Sequence, residues 1–209
     1  MFTSKILKGM KLNMKVTFFE RLGAYLIDSL VVSFIFSIIC LGFGNYTSDT
    51  EKMMKELDEK FIKEEITIEE YTDEYSKAIY DYQKETVLQS GISVALTIAY
   101  FVVFQYMNKG QTIGKKLLKI KVVDKDTKEP ISILKGLLRS FIFLSILSGT
   151  LNILFLYILN RNNYFLSYGS LMLFEGIFVL TSIIFVLYKK DGRGLHDIIA
   201  NTIVVKESR

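Results

Sequence analysis

Arg21 and Asp28 stand seven residues apart at the start of the chain's first apolar block, and Glu175 sits near the middle of its last. Seven residues is about two helical turns, or ~10 Å, so Asp28 lies deeper than Arg21 on nearly the same helix face. That separation is too long for direct pairing, and Asp28 needs another cation or a polar backbone. A carboxylate at the centre of a bilayer costs at least ~2.5–3.5 kcal/mol on insertion scales, so Asp28 and Glu175 are expected to be protonated, paired or facing water. Three roles suit such groups: a polar clamp between helices, a proton- or cation-handling site, and a lipid headgroup site. His196-Asp197 follows the last apolar block. Asp197 is a candidate partner for Arg21 or Arg139, because an arginine–carboxylate pair is bidentate and suited to fixing helix ends. His196 is expected to support that pair structurally.

Other chemistry is poorly supplied. One Cys (Cys40) and one His exclude an intramolecular disulfide and a metal centre built from several His or Cys. No nucleophile set accompanies His196, so no catalytic residues, no cofactor and no enzyme are expected. Gly110-Gln-Thr-Ile-Gly114-Lys-Lys116 has the look of a phosphate loop. Its glycines are separated by three residues rather than four, Lys116 occupies the Ser/Thr position, and an apolar helix rather than a strand precedes it.

The elements that must carry these residues follow from composition. The chain has 209 residues, 50% hydrophobic and 23% charged, with a mean hydropathy of +0.31. A soluble core of this size does not hide that much apolar material, but the apolar and charged residues fall in separate stretches. Four apolar blocks, 20–43, 87–106, 140–159 and 164–188, each reach the ~20 residues that a helix needs to cross a bilayer. The first is too long for a signal-peptide core and lacks its cleavage site. The segment 44–86 carries thirteen Asp/Glu against six Lys, whereas 107–139 carries nine Lys/Arg against three acids. The positive-inside bias therefore puts both termini and residues 107–139 in the cytoplasm and residues 44–86 outside. The lysine-bearing residues 1–19, with Phe2, Ile6, Met10 and Met14 at helical spacing, predict an interfacial helix beside anionic headgroups. The basic excess thus has a membrane explanation, and nucleic acid is not expected as a partner.

Within the outer segment, Ser48-x-x-Glu51 and Thr67-x-x-Glu70 are capping-box patterns predicting helices over about 50–65 and 68–86. Each has an apolar stripe, so the two form a helical hairpin, the second helix running on into the second span. On the inner side, residues 117–123 and 202–206 alternate as short strands and predict a small ribbon tying the tail (189–209) to the middle loop. The fold expected is an all-α membrane protein: four transmembrane helices, an extracytoplasmic hairpin and a cytoplasmic β-ribbon.

Four pieces of this sequence resemble the RDD family of membrane proteins, named for one arginine and two aspartates. They are Phe19-Glu-Arg21-Leu-Gly-Ala24-Tyr-Leu-Ile-Asp28; Gly110-Gln-Thr-Ile-Gly114-Lys-Lys-Leu117; Lys119-Ile-Lys-Val-Val-Asp124; and Gly194-Leu-His-Asp197 with Thr202-Ile-Val-Val205. The resemblance assigns the family's arginine to Arg21, its first aspartate to Asp28 and its second to Asp197, with Asp124 as the alternative. It implies a multi-pass bacterial envelope protein in the cell membrane; cation/proton antiport is proposed for some members, and others look like accessory subunits. Glu175 and the acidic hairpin are not part of the family pattern. Two functions are expected on this basis. One is a non-enzymatic accessory or assembly subunit whose hairpin binds an extracytoplasmic or membrane partner. The other is a cation/proton antiporter using Asp28 and Glu175, which with four spans requires a homo-oligomer.

Overall fold

The computed structural model describes residues 16–42 and 49–207. The helix expected over 1–19 and the Ser48 capping residue lie outside these, apart from residues 16–19. Helix α1 (Phe18–Leu41) starts at a capping box in which Glu20 N–H donates to Thr17 Oγ1 (3.2 Å) and Thr17 N–H to Glu20 Oε2 (2.8 Å). It buries Ala24 and Asp28 and leaves Leu26, Leu30 and Phe34 outside, an apolar outer face suited to lipid.

Two helices form a hairpin next: α2 (Asp49–Ile62) and α3 (Ile68–Glu85). The Thr67/Glu70 capping box starts α3, with Glu70 N–H on Thr67 Oγ1 at 3.2 Å and Thr67 N–H on Glu70 Oε2 at 2.9 Å. Phe61 stacks on Tyr71 at 4.5 Å, Tyr71 on Tyr75 at 5.1 Å, and the Tyr71 hydroxyl donates to Asp58 (2.8 Å). Helix α3 is fastened to the bundle at two levels: Tyr80 Oη donates to the Leu159 carbonyl (3.0 Å), and nearer the hairpin's tip Arg161 pairs with Asp73 (2.7 Å). Helix α3 does not run unbroken into the next span. Thr86 leaves helical geometry (φ −97°, ψ 14°) between it and α4.

Helix α4 (Val87–Met107) winds more widely over Ala99–Phe104, as a π-helix. The wider turn brings Tyr100, Phe101, Val102 and, three positions on, Gln105 all to the interior. A short helix, α5 (Ile113–Leu117), leads to β1 (Ile120–Asp124). The first expected strand, 117–123, is thus displaced: Leu117 closes the α5 turn, and Lys119 takes a left-handed φ of 55° before the strand begins. β1 pairs antiparallel with β2 (Thr202–Lys206), Val122 opposite Val204 and Asp124 opposite Thr202. Two strands are marginal alone, and this ribbon has a floor. Ile120, Val122 and Val204 pack with Val16, Ala24 and Ile131 in a buried cluster.

The third expected span, 140–159, is not one helix. The chain forms α6 (Ile133–Phe141) and α7 (Ile146–Ile158), bent by 69° across a short break. Three helices, α1, α4 and α8 (Arg161–Tyr188), are therefore long and apolar enough to cross a membrane, and the bent pair makes a fourth if it acts as one span. The break has local causes. Ser145 turns left-handed (φ 55°) and offers the following helix no side-chain cap. Each limb is also held by its own polar tie, Arg139 on α6 and the Ser148 amide on α7. Helix α9 (Leu195–Ile199) then connects α8 to β2.

Candidate functional site

At the ribbon end of the helices, Asp197 is completely buried and surrounded by donors. Arg21 Nη1 donates to its Oδ2 at 2.7 Å, and Arg139 Nη1 donates to its Oδ1. The Gly194 amide reaches Oδ2 (3.1 Å) and Thr202 Oγ1 reaches Oδ1 (3.3 Å). One carboxylate thereby joins α1, α6, the turn before α9, and β2. A side chain at Gly194 would displace its neighbours, because a Cβ would stand 2.6 Å from Ser182 Oγ and 2.7 Å from the His196 ring. His196 packs against Phe143, ring centroids 4.3 Å apart, and shares a 2.5 Å hydrogen bond between Nδ1 and Ser182 Oγ.

Asp28 forms a second, separate knot. Tyr100 Oη (2.7 Å) and the Gly114 amide (2.7 Å) donate to Oδ1, and Thr112 Oγ1 (2.5 Å) donates to Oδ2. Lys115 Nζ stands 4.0 Å from Oδ2, held by Gln105 Oε1 (2.9 Å) and Thr112 Oγ1 (3.2 Å). The glycine-lysine segment therefore closes on a carboxylate of its own chain. A Cβ on Gly114 would stand 2.2 Å from the Ala24 carbonyl, so only glycine lets α5 lie against α1. Gly110, at φ +91°, lies so close to β1 that its Cβ would meet the Val122 carbonyl at 2.0 Å.

Glu175 is buried in α8, 3% exposed, and its Oε1 accepts the Ser148 N–H at 3.1 Å. That amide is one of the unsatisfied donors in the first turn of α7, where a negative charge is favoured by the helix dipole. Glu175 thus caps the helix that follows the break, while its Oε2 has no hydrogen-bond partner among the described residues. Nearby a cavity of about 890 Å³ has a mixed lining, with Gln89, Ser93, Thr97, Ser148 and Asn152 among apolar side chains such as Phe36, Val94 and Met172. Asn152 ties the region together, donating to Gln83 (3.2 Å) and accepting from Tyr164 Oη (2.7 Å).

Electrostatics divides these groups. Burial alone would raise the Asp197 carboxyl, but the Arg139 and Arg21 guanidiniums override it and hold it below the usual carboxylate range. Burial pushes the His196 imidazole down to about 3, so it is neutral. Burial likewise brings Lys115 down to about 7, with Arg139 adding repulsion. Asp124, the alternative second aspartate, lies apart in the turn after β1. There Lys135 and the Thr127 and Asp126 amides hold it low. Among the described residues no three metal-ligating side chains converge.

The structure brings Arg21, Asp197 and Arg139 together with His196 beside them, sets Asp28 in a neighbouring knot, and puts Glu175 elsewhere. Tyr100, Gln105, Thr112 and Lys115 were not singled out by spacing. The available signal was an orphan carboxylate, Asp28, at the same end of the helices as a two-glycine segment with a threonine and lysines.

Neither the curated proteins nor the solved structures compared with the chain give a match. The sequence model of the RDD family matches residues 15–201, a stretch that includes Arg21, Asp28, Arg139 and Asp197. The chain belongs to the RDD family of membrane proteins.

Proposed function

We propose that this chain is a non-enzymatic accessory or assembly subunit of the bacterial cell membrane, with both termini and the β-ribbon cytoplasmic and the α2–α3 hairpin outside. The observation that carries this reading is that Asp28 and Asp197 have their oxygens satisfied by donors of the same chain. Carboxylates held in this way fix α1, α5, α6 and α9 to one another rather than exchange ligands. The hairpin offers a surface for docking. At its tip Ile62 and Ile68 are 79% and 63% exposed, beside the acidic residues of α3. Such a tip suits a partner with an apolar, basic-rimmed surface. The test is detergent pull-down of the full chain against a chain lacking residues 50–85. Loss of specific co-purifying proteins supports docking, and an unchanged set overturns it.

A second reading, cation/proton antiport in a homo-oligomer, is favoured by the unpartnered Oε2 of Glu175, whose carboxylate holds the amide of Ser148, a residue lining the larger cavity. Vesicles containing the protein and a pH-sensitive dye decide it. Cation-dependent proton flux abolished by Glu175→Gln supports antiport, and no flux, or flux untouched by Glu175→Gln and Asp28→Asn, rules it out.

A further inference from the structure

Between α1 and α8, at the ribbon end, lies a smaller cavity of about 240 Å³. Its walls are of two kinds. Leu22, Tyr25, Phe143, Val179 and Ile183 make an apolar trough, whereas Arg21, Lys115, Arg139 and Gln105 form the other wall. Leu22 and Tyr25 are 37% and 43% exposed on the outer surface of the helices, so the trough adjoins the face that lipid would cover.

The charges around this cavity do not cancel. Three cations, Arg21, Arg139 and Lys115, face two carboxylates, Asp28 and Asp197. The nearby pairs Glu20–Lys206 (2.9 Å) and Asp124–Lys135 are closed on themselves, and His196 is neutral. With Lys115 protonated, one positive charge is left in surroundings where an uncompensated charge is costly. The same wall holds two buried donors with no hydrogen-bond partner among the described residues, Arg21 Nε and Gln105 Nε2. Gln105 is 2% exposed, and its Oε1 accepts from Lys115, so turning the amide over would set its NH₂ against the ammonium. Water could satisfy the donors but not the charge. A small soluble anion could satisfy both but would leave the apolar trough wet.

We propose that this cavity binds an anionic phospholipid, its phosphate against Arg21 Nε, Gln105 Nε2 and the Lys115 charge, and the first part of an acyl chain in the trough. The site is independent of the hairpin and of whether a partner docks there. It gives Lys115 a counter-charge and inserts a lipid beside the contacts that join α1 to α6 and α9.

The test uses the full chain in a neutral detergent, with phosphatidylglycerol, phosphatidylcholine and inorganic phosphate as three separate probes. Native mass spectrometry reads retention and thermal unfolding reads stabilisation. The wild-type protein retains phosphatidylglycerol over phosphatidylcholine by about tenfold or more, in line with charge-assisted hydrogen bonds. Gln105→Glu keeps an oxygen for Lys115 but places a negative charge where the phosphate sits, and loses that preference. Lys115→Gln removes the unbalanced cation while keeping a donor, so it folds without the buried charge and also loses the preference. Equal retention of the two lipids, or a preference unchanged in both variants, overturns the site. Stabilisation by inorganic phosphate equal to that by phosphatidylglycerol at the same concentration overturns the lipid in favour of a soluble anion.

Discussion

Arg21 and Asp197, 176 positions apart in the chain, meet at 2.7 Å, the carboxylate cut off from water and the guanidinium largely so, with side chains 0% and 13% exposed. The contact ties the start of the first span to the short helix after the last one. It also tolerates a second guanidinium, that of Arg139, on the other carboxylate oxygen. Removing Asp197 therefore leaves two buried cations facing each other, whereas removing Arg21 leaves the carboxylate one remaining cation.

Asp197→Ala is accordingly expected to be the more damaging substitution, at about 3–5 kcal/mol, because it strands buried charge. Arg21→Met should cost less, since Arg139, Thr202 and the Gly194 amide still hold Asp197. Unfolding in detergent of the two single variants and the double variant checks this. The two losses should be non-additive by about 0.5–3 kcal/mol, as expected for residues in one network. Additive losses would mean that the contact contributes nothing in solution.

Around Asp28 the expectation concerns donors. Tyr100→Phe removes one hydroxyl and should cost about 1 kcal/mol, while Asp28→Leu leaves the Thr112 hydroxyl and Gly114 amide unpaired and should cost about 1–3 kcal/mol more. Gly114→Ala should be at least as harmful as Asp28→Leu, because its methyl group would meet the Ala24 carbonyl. Protease sensitivity of the segment 108–119 is the direct readout. It should rise in Gly114→Ala and Asp28→Leu and stay near wild type in Tyr100→Phe.

Much of this architecture is legible along the chain, since capping boxes, apolar blocks and strand alternation are local signals. The Thr67–Glu70 box starts α3, and residues 202–206 form β2. The partners of Asp28 are not local: Tyr100, Thr112 and Gly114 are 72, 84 and 86 residues away. No periodicity announces such contacts, and the π-helical turn that swings Tyr100 inward leaves no residue signature. The break before α7 was hidden for another reason. Residues 140–159 have the length and hydropathy of a single span, neither of which marks the left-handed turn at Ser145, and the amide that follows the turn is capped by Glu175 from a different helix. The two candidate aspartates likewise differ in their partners, because Asp197 reaches Arg21 and Asp124 reaches Lys135.

That capping role makes a separate prediction for Glu175. Glu175→Gln retains an oxygen for the Ser148 amide and should lose about 1 kcal/mol or less, whereas Glu175→Ala loses the cap and should cost about 0.5–2 kcal/mol, with the larger part of the loss in α7. Hydrogen exchange resolves it by position. Amides of residues 146–149 should lose protection in Glu175→Ala and keep it in Glu175→Gln. Uniform loss across α8 in both variants would instead mark a packing role.

The pH dependence of stability follows from Lys115 and His196, with signs fixed by proton binding. Lys115 has a pKa of about 7 in the folded chain against about 10.5 when unfolded, depressed by burial first and by the nearby Arg139 and Arg21, partly offset by Asp28 and Asp197. Between those values the unfolded state binds the extra proton, so stability rises with pH from about 7 to about 10.5, and below 7 the cost of the buried charge is constant. His196, buried and at about 3 against 6.5 unfolded, acts in the same direction lower down, and stability falls as pH drops from about 6.5 towards 3. Unfolding in neutral detergent should therefore show two rising limbs. Lys115→Met should flatten the upper one and His196→Gln the lower, each leaving the other in place. A wild-type profile already flat between pH 7 and 10 would show that Lys115 stays protonated in the folded chain, as it would with a counter-anion permanently bound.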